Sequence, residues 1–273
     1  VILIDFPGFN MRLLKYCRAH GIPVYYVAPP QVWAWKKERV HAFKGVQVQT
    51  VFEFENSMYA EAGATVHFCG HPVYDRIDAF DPSMERNYIA LLPGSRKADV
   101  LRNFQSFIFA ARTLQSELDF SPQIVVVVPK FLSEDAELKE RVRGFKLTSE
   151  FNTVIAQSAF AVAVPGSNNM ELLAAEVPAI IMYQAGWLNY LIARALLSIR
   201  YISAVNILAE KEIFPELVFC RKAKVKKFVS FAVKKVLSDE DSLRRELAAL
   251  AQTMGASGFT QLAADNIGEI VNG

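Results

Sequence analysis

Short apolar runs, rich in β-branched residues, alternate along most of this chain with segments whose apolar residues recur at helical spacing. The runs predict strands at residues 1–5, 23–27, 46–51, 65–68, 88–92, 123–128, 160–164 and 179–183. The segments between them predict helices at residues 10–20, 52–62, 99–118, 132–143, 153–158 and 168–175. Buried strands that alternate with helices form right-handed βαβ units, so the pattern predicts an α/β protein with parallel sheets.

The pattern changes at two places along the chain. Residues 78–86 are polar and contain Pro82, which is typical of a linker. We therefore expect two Rossmann-like domains, an incomplete one at residues 1–80 and a second one at residues 81–255. From Ile213 onward only helices are predicted, and the last segment, 256–273, is expected either to pack back on the first domain or to exchange between two chains. A homodimer is therefore an open alternative.

Composition and charge narrow the class of protein. The chain has 273 residues, 52% hydrophobic and 21% charged, enough for two α/β domains. A net charge of +2 without a basic, aromatic-interleaved patch argues against nucleic-acid binding. Cys17, Cys69 and Cys220 match neither a disulfide framework nor a zinc spacing, so we expect a reducing compartment and no metal site. The chain begins on a strand without a signal-peptide pattern, and we expect that an N-terminal part of the protein is absent from it.

The junction after the strand at 88–92 is suited to an anion. Gly94, Ser95 and Arg96 lead directly into a predicted helix, whose N-terminus presents free N–H groups and a partial positive charge. Arg96 adds a permanently charged side chain that can bind an anion with two hydrogen bonds. An ordinary strand-to-helix turn is the alternative for this stretch taken alone.

A second junction of this kind follows the strand at 160–164. Gly166, Ser167 and Asn168 precede a predicted helix, and Glu171 lies one turn inside it, where an acidic residue can bind a ribose diol. A favourable placement of an acid near the helix dipole is the alternative for Glu171. Together the two junctions favour a nucleotide diphosphate, which we expect in a cleft between the domains.

The first half places further side chains with chemical potential after its strands. Asp5 ends the first strand, where carboxyl ends of parallel strands face a ligand, and Asn10 is the better candidate for a helix cap. Trp33 and Trp35 follow the second strand and are able to form the wall of a sugar or acyl site. His71 follows Gly70 after the fourth strand. Core packing of at least one tryptophan and a backbone-bonded histidine are the structural alternatives.

These motifs, in this order and spacing, resemble the lipid-A-disaccharide synthase family of inverting GT-B glycosyltransferases. The resemblance runs the length of the chain and rests on the blocks Ile4-Asp5-X-Pro7-X-Phe9-Asn10, Val32-Trp33-Ala34-Trp35-X-X-X-Arg39, Gly70-His71-Pro72 and Leu91-Leu92-Pro93-Gly94-Ser95-Arg96. It implies a GT-B fold with two Rossmann-like domains and a helical C-terminal tail.

The resemblance also implies a reaction. The family transfers 2,3-diacylglucosamine from UDP to 2,3-diacylglucosamine 1-phosphate, forms a β-1,6-linked disaccharide and releases UDP, with no metal or cofactor. Asp5 would be the general base, and Arg96, with Gly94 and Ser95, would stabilise the departing diphosphate. Glu171 would hold the ribose, and Asn206 matches a further nucleotide-side asparagine. The side chains implied on the acceptor or sugar side are Asn10, Trp33, Trp35, Arg39 and His71.

The acylated substrates imply a place for the protein. The resemblance predicts a cytoplasmic protein that associates peripherally with the anionic inner membrane of a Gram-negative-type bacterium and meets UDP-diacylglucosamine and its acylated acceptor there. Residues 187–197 are a candidate amphipathic contact, and residues 221–227 supply basic side chains. A core-facing helix and a solvated charged surface are the alternatives.

The chain departs from the family pattern at several positions. Gly8 stands where the family usually has a second Asp, and Gln184 stands where a basic residue usually follows Tyr183. The alternatives are another GT-B enzyme that uses a UDP-GlcNAc-type substrate, either a glycosyltransferase or an epimerase, and a non-catalytic protein that binds a nucleotide sugar. We expect that this chain alone does not turn over.

Overall fold

The computed structural model describes residues 1–33, 37–77, 84–186, 200–220 and 222–272. The chain divides into two compact units. The first unit consists of Val1–Asp78 together with Gln252–Gly273, and the second unit is Ala79–Ala251. The predicted domain boundary at residues 80 and 81 lies beside the first division. Residues 252–255, which the sequence places in the second domain, instead belong to the first unit.

The first unit contains a four-stranded parallel sheet in the order β1-β2-β3-β4. Its strands are β1 (Ile2–Ile4), β2 (Tyr25–Val27), β3 (Gln47–Gln49) and β4 (Thr65–His67). Its first two α-helices are α1 (Pro7–Ala19) and α2 (Glu55–Glu61), with 3-10 helices at Lys37–Phe43 and Pro72–Asp75. The core between sheet and helices includes Leu14, Tyr26, Phe43, Val48 and Tyr59, none of which has measurable exposure.

The second unit contains a six-stranded parallel sheet in the order β10-β9-β8-β5-β6-β7. Its strands are β5 (Tyr88–Leu92), β6 (Gln123–Val127), β7 (Lys146–Thr148), β8 (Ser158–Ala163), β9 (Ala179–Gln184) and β10 (Glu216–Phe219). Its α-helices in the described residues are α3 (Lys97–Ser116), α4 (Lys130–Ser133), α5 (Ala136–Arg141), α6 (Phe151–Ala156), α7 (Asn168–Ala174), α8 (Ala204–Leu208), α9 (Val225–Ser238) and α10 (Glu240–Gln252). Helices α3 and α9 pack on the sheet around a continuous apolar core.

The structure corrects the predicted elements at the edges of this sheet. Strands do not end at Ile213, because β10 pairs with β9 at one edge, and β7 adds a strand at the other. Both strands are short and half-buried for most of their length, so neither carries the continuous apolar pattern of a central strand. The helix predicted at residues 132–143 is two helices, because Asp135 accepts a hydrogen bond from the Leu138 N–H and begins α5 there.

The final helix, α11 (Phe259–Asn272), packs back on the sheet of the first unit. The Gln49 side chain donates to the Phe259 carbonyl at 2.7 Å, and Asn266 donates to the Tyr25 hydroxyl at 3.0 Å. The segment that contains Gly70 and the segment that contains Gly255 pass very close to each other. A Cβ atom on either glycine would overlap with backbone atoms of the opposite segment. Gly70 is therefore needed for chain packing.

Asn206 has a structural role that the sequence analysis missed. Its Nδ2 donates to the Phe214 carbonyl at 2.7 Å and to Glu216 Oε2 at 2.9 Å. Its Oδ1 accepts the N–H groups of Ile213 and Phe214, both at 2.8 Å. The residue has no exposed surface, and its amide group is fully used. Asn206 thus ties α8 to the start of β10 and is not placed to bind a nucleotide.

Two regions singled out by the sequence fall partly or wholly outside this description. Residues 187–197, the candidate amphipathic contact, lie outside the described residues, as does Arg221. In the parts of the chain that the structure describes, no helix is both long enough and apolar enough to cross a bilayer.

We expect Asp75→Ala to weaken the attachment of α11. The carboxylate accepts the N–H groups of Gly258, Phe259 and Thr260 and the Thr260 hydroxyl, at 2.6 to 3.1 Å. Loss of a helix cap of this kind costs about 1 kcal/mol of unfolding free energy. Urea unfolding followed by circular dichroism measures the change in unfolding free energy. Asp75→Asn keeps one acceptor oxygen, so its unfolding free energy should lie between those of Asp75→Ala and the wild type.

The contribution of Asp75 should also depend on pH. Partial burial raises the pKa of Asp75, but the hydrogen bonds with Thr260, Gly258 and Phe259 outweigh it and lower the pKa below 3.8. A lowered folded-state pKa stabilises the protein above 3.8, and this stability is lost as the pH falls through the folded value. The wild type and Asp75→Ala should therefore differ near neutral pH and converge in acid. An equal difference at all pH values would contradict the role of the charge.

We expect Asn206→Ala to lower the unfolding free energy of the second unit and to leave the affinity for UDP unchanged. The substitution leaves the buried N–H groups of Ile213 and Phe214 and the Glu216 carboxyl without this partner, a loss of about 3 kcal/mol. Asn87→Ala, at an exposed position, is the control. A weaker affinity for UDP in the folded variant, with unchanged stability, would restore the nucleotide-side role.

Candidate functional site

The carboxyl ends of three neighbouring strands form one edge of the sheet in the second unit. Leu92 lies opposite Ala163, so β5 and β8 end at the same level, whereas β9 passes this level at Ile181 and continues to Gln184. The loops that follow these strands start side by side, and the Val164 N–H donates to the Leu92 carbonyl at 3.0 Å. In open parallel sheets this edge is where ligands bind.

The loop after β5 presents its backbone and a cation at this edge. Gly94 has φ 125°, and a Cβ there would come within 3.0 Å of the Asp99 side chain, which favours glycine. Arg96 is extended and exposed, immediately before α3. The first N–H groups of a helix have no acceptor within the helix, so an anion above Arg96 would find both donors and a guanidinium.

A buried asparagine that the sequence analysis did not single out holds this loop. Asn103, on α3, has no exposed surface, and its Nδ2 donates to the Pro93 carbonyl at 3.0 Å. Its Oδ1 accepts the Gln184 N–H at 2.9 Å. The signal in the sequence is a polar residue on the apolar face between Val100 and Phe107. Asn103 thus fixes the loop after β5 relative to the end of β9.

The loop after β8 is held in the same way by Asn169. Its Nδ2 donates to the Val164 carbonyl at 3.0 Å, and its Oδ1 accepts the Gly166 N–H at 3.4 Å. Gly166 and Ser167 are exposed, and Asn168 is half-buried. Glu171, predicted to hold the ribose, retains only 9% of its surface.

The end of β9 contributes an unusual acceptor. The Oε1 atom of Gln184 is buried and accepts no hydrogen bond from any residue that the structure describes. A buried polar atom without a partner costs about 1–3 kcal/mol, so a donor that reaches this atom would be favoured. Gln184 occupies the position where the family pattern has a basic residue, and its signal in the sequence was that departure.

Asp5 lies in a strained turn at the end of β1 in the first unit. Asp5 and Phe6 have φ 43° and 44°, a left-handed conformation that costs non-glycine residues roughly 1–2 kcal/mol each. Asn10 donates to the carbonyls of Ile4 and Asp5 at 2.9 and 2.8 Å, and the Tyr26 hydroxyl donates to the Asp5 carbonyl at 2.8 Å. These bonds use the backbone of Asp5 and leave its carboxylate exposed.

The Tyr26 hydroxyl lies close to two of the predicted site residues. Burial and, secondly, the charge of Asp5 raise the pKa of Tyr26 to about 12, whereas the hydrogen bond with Asn10 and the charge of Arg39 act in the opposite direction. Asp5 and Arg39 therefore both lie near this hydroxyl. Tyr26, predicted only as part of a strand, thus shares the Asp5 carbonyl with Asn10, and the charge of Arg39 acts on the pKa of its hydroxyl.

Aromatic side chains gather where β2, β3 and β4 end. We call Trp33, Phe52, Phe54 and His71 the aromatic cluster. Trp33 meets Phe54 edge-on, with ring centroids 5.3 Å apart, and Phe52 stacks on Phe54 at 5.4 Å. His71 lies 5.2 Å from Phe52. Phe54 is 41% exposed, so part of the cluster faces solvent. Trp35, predicted beside Trp33, lies outside the described residues.

His71 is uncharged near neutral pH. Burial and, secondly, the charge of Arg76 lower the pKa of His71 to about 4. Its Nδ1 accepts the Val73 N–H at 3.1 Å, which leaves the proton on Nε2. The side chain thus makes the expected backbone contact, and its Nε2–H donates to no residue that the structure describes.

Metal-ligating side chains do not gather in this structure. Across the described ranges, no three His, Cys, Asp or Glu side chains are placed to hold a metal ion.

Comparison with known proteins places this geometry in a family. The sequence model of the family described as lipid-A-disaccharide synthetase matches residues 1–265. A lipid-A-disaccharide synthase of Syntrophus aciditrophicus is 32% identical over 284 residues, which cover 97% of this chain and 73% of that protein. No residue role follows from these matches alone.

Solved structures agree on the fold. A structure of S. aureus MnaA with UDP covers 100% of this chain and 74% of its own, with a TM-score of 0.60 and 13% identity. The pneumococcal O-GlcNAc transferase GtfA, with UDP and GlcNAc, has a TM-score of 0.52 and 10% identity over 100% of this chain and 57% of its own. These likenesses show the GT-B fold. Together with the family match over nearly the whole chain, they show that this chain belongs to the lipid-A-disaccharide synthase family, the glycosyltransferases of lipid A biosynthesis.

Proposed function

We propose that this protein transfers 2,3-diacylglucosamine from UDP to 2,3-diacylglucosamine 1-phosphate with inversion at the anomeric carbon. The observation that carries the proposal is the state of Arg96. Its neighbour Lys97 is paired with Asp135 and Glu137, and Arg102 is paired with Asp99. Arg96 makes no ion pair with any described residue and is exposed just before α3.

The diphosphate of UDP fits this arrangement. The bond between the anomeric carbon and the diphosphate oxygen breaks in the reaction, and negative charge develops on that oxygen. Arg96 and the N–H groups at the start of α3 are donors aimed at such a charge, and preorganised donors of this kind stabilise a leaving group. We propose that these groups meet the charge without a metal ion.

A uridine nucleotide as donor has further support. The S. aureus and pneumococcal structures that share the fold are described as containing UDP. In this chain the Oε1 of Gln184, which has no partner among the described residues, offers an acceptor to a nucleotide or sugar donor group, and Glu171 is the candidate for the ribose.

Asp5 is the proposed general base. Its carboxylate takes the proton of the acceptor 6-hydroxyl while the hydroxyl oxygen forms the new bond to the anomeric carbon and UDP leaves. Asn10 and Tyr26 hold the turn through the backbone carbonyl of Asp5, so these bonds leave the Asp5 carboxylate exposed. This is the arrangement that a proton acceptor requires.

The acceptor side and the cellular location complete the proposal. The aromatic cluster offers apolar faces to a sugar ring or acyl chain, and Arg39 and the Nε2–H of His71 offer polar contacts to the acceptor. Because the substrates are acylated, we propose that the protein works in the cytoplasm at the surface of the inner membrane, where its basic residues contact anionic lipids.

We expect Arg96→Ala to weaken UDP binding by about tenfold or more, since a charge-assisted, two-pronged contact is worth roughly 1.5–3 kcal/mol. Arg96→Lys keeps the charge but loses the two-pronged contact, so its affinity for UDP should lie between those of Arg96→Ala and the wild type. Isothermal titration with UDP measures the affinity. Arg143→Ala is the matched control, because Arg143 is 81% exposed and pairs only weakly, at 3.6 Å, with Glu140. Equal affinities in Arg96→Ala and the wild type would remove the carrying observation.

We expect Asp5→Asn to reduce turnover by at least about a hundredfold, the usual range for loss of a general base. Asparagine tolerates the left-handed conformation at this position, so the fold should be kept. The affinity for UDP should stay unchanged. Product formation by the intact protein is measured by mass spectrometry, with Asp265→Asn as the control. Near-normal turnover would show that another group is the base, and no product from the wild type would favour a protein that only binds the nucleotide sugar.

A further inference from the structure

The carboxyl group of Glu55 makes contacts that the proposed reaction does not use. Glu55 is the first residue of α2, after the loop that follows β3, and has no exposed surface. Its Oε1 accepts the Nε1–H of Trp33 at 2.8 Å. Its Oε2 accepts the N–H groups of Val51 and Phe52, both at 3.2 Å. The side chain therefore joins the loop after β2 to the loop after β3.

A helix cap alone does not account for this arrangement. Capping the start of α2 needs one acceptor oxygen, and exposed Ser, Thr, Asp or Asn side chains supply it without burying a carboxyl group. A buried carboxyl group is costly to ionise, and here burial raises the pKa of Glu55 to about 7, against the effect of its three hydrogen bonds. The second oxygen is committed to Trp33. Glu55 is thus a buried acid whose Oε2 bonds the backbone before α2 and whose Oε1 holds the Trp33 indole.

The orientation of Trp33 decides the shape of the aromatic cluster. The indole meets Phe54 at an interplanar angle of 75° and Phe52 at 80°, with centroids 5.3 and 6.3 Å apart. Trp33 is half-buried and Phe54 is 41% exposed, so both offer surface to a ligand. Rotation of the indole away from Glu55 would change the accessible faces of both rings.

We propose that Glu55 is a positioning residue that holds the Trp33 indole so that the aromatic cluster binds the acylated glucosamine acceptor. The identity of this ligand rests on the proposed function, whereas the coupling of Glu55 to Trp33 does not. Glu55 itself touches no substrate and acts through Trp33.

The coupling should depend on pH because the ionised carboxylate accepts the indole N–H more strongly than the neutral acid. In the part of the chain that the structure describes, Tyr59 and His71 are titratable groups near the Glu55–Trp33 pair. Tyr59, one turn further along α2, donates its hydroxyl to the Pro30 carbonyl, and burial keeps the pKa of Tyr59 far above neutrality. His71, behind Phe52, is neutral above about pH 5 because its pKa is lowered to about 4. Glu55 is therefore the group expected to titrate here near neutral pH.

The first test follows the indole directly. In the nitrogen-15 NMR spectrum, the Nε1–H signal that disappears in Trp33→Phe belongs to Trp33. This signal should shift with a midpoint near pH 7 in the wild type and should not shift in that range in Glu55→Gln. Glu53→Gln, two residues earlier and exposed, is the control and should titrate like the wild type. A Trp33 signal that does not respond to Glu55→Gln would overturn the coupling.

The second test measures the acceptor. Glutamine has one acceptor oxygen, so it cannot face both Trp33 and the N–H groups of Val51 and Phe52. We expect Glu55→Gln to raise the KM for 2,3-diacylglucosamine 1-phosphate about tenfold, with kcat changed by less than about twofold and the donor KM unchanged. Trp33→Phe should give a similar increase, and the double variant should add nothing further.

The pH profile separates positioning from a general loss of structure. In the wild type the acceptor KM should rise as the pH falls below about 7, and this rise should be absent from Trp33→Phe and Glu55→Gln once the titration of the acceptor phosphate, common to all variants, is subtracted. Additive effects in the double variant, or an unchanged profile, would overturn the proposal. If the wild type makes no product, the proposed function fails, while the NMR titration still decides whether Glu55 positions Trp33.

Discussion

Buried asparagines hold the loops of this protein where its parallel strands end. When a chain leaves a strand, its N–H and C=O groups lose the partners of the sheet and need others if they are buried. Asn10 and Asn169 each bond two backbone groups where one strand ends, and Asn103 bonds one group in the loop after β5 and one at the end of β9. An asparagine suits this task because one amide group both donates and accepts. The loops are thus held by buried asparagine side chains, and these asparagines lie on helices that pack against the sheet.

This arrangement explains which atoms remain available for chemistry. At Asp5 the buried bonds go to the backbone, and the carboxylate stays exposed. At Arg96 the neighbouring cations are paired, and the guanidinium is not tied to any described carboxylate. Rigid backbone beneath a free side chain lowers the cost of ordering a site when a ligand binds.

The sequence predicts most of the fold because central strands of parallel sheets are continuous apolar runs. It misses β7 and β10 because edge strands are short and only partly buried. It also assigns Asn206 to the nucleotide by resemblance, whereas the structure uses all of its hydrogen-bonding groups inside the fold. An asparagine on an apolar helical face is a visible signal, but the sequence does not say whether a ligand or a nearby loop will satisfy it. Only the hydrogen-bond distances in the structure show that backbone groups of the fold satisfy Asn206.

Asp5 and Glu55, two carboxyl groups in loop regions of the first unit, differ in their exposure to solvent. Asp5 is exposed and can exchange a proton with a bound hydroxyl and then with water, as turnover requires. Glu55 is enclosed, and its two oxygens are committed to three N–H donors. Its proton therefore changes the strength of a fixed contact instead of moving to a substrate. In the roles that we propose, the same carboxyl chemistry serves proton transfer at exposed Asp5 and geometry at buried Glu55.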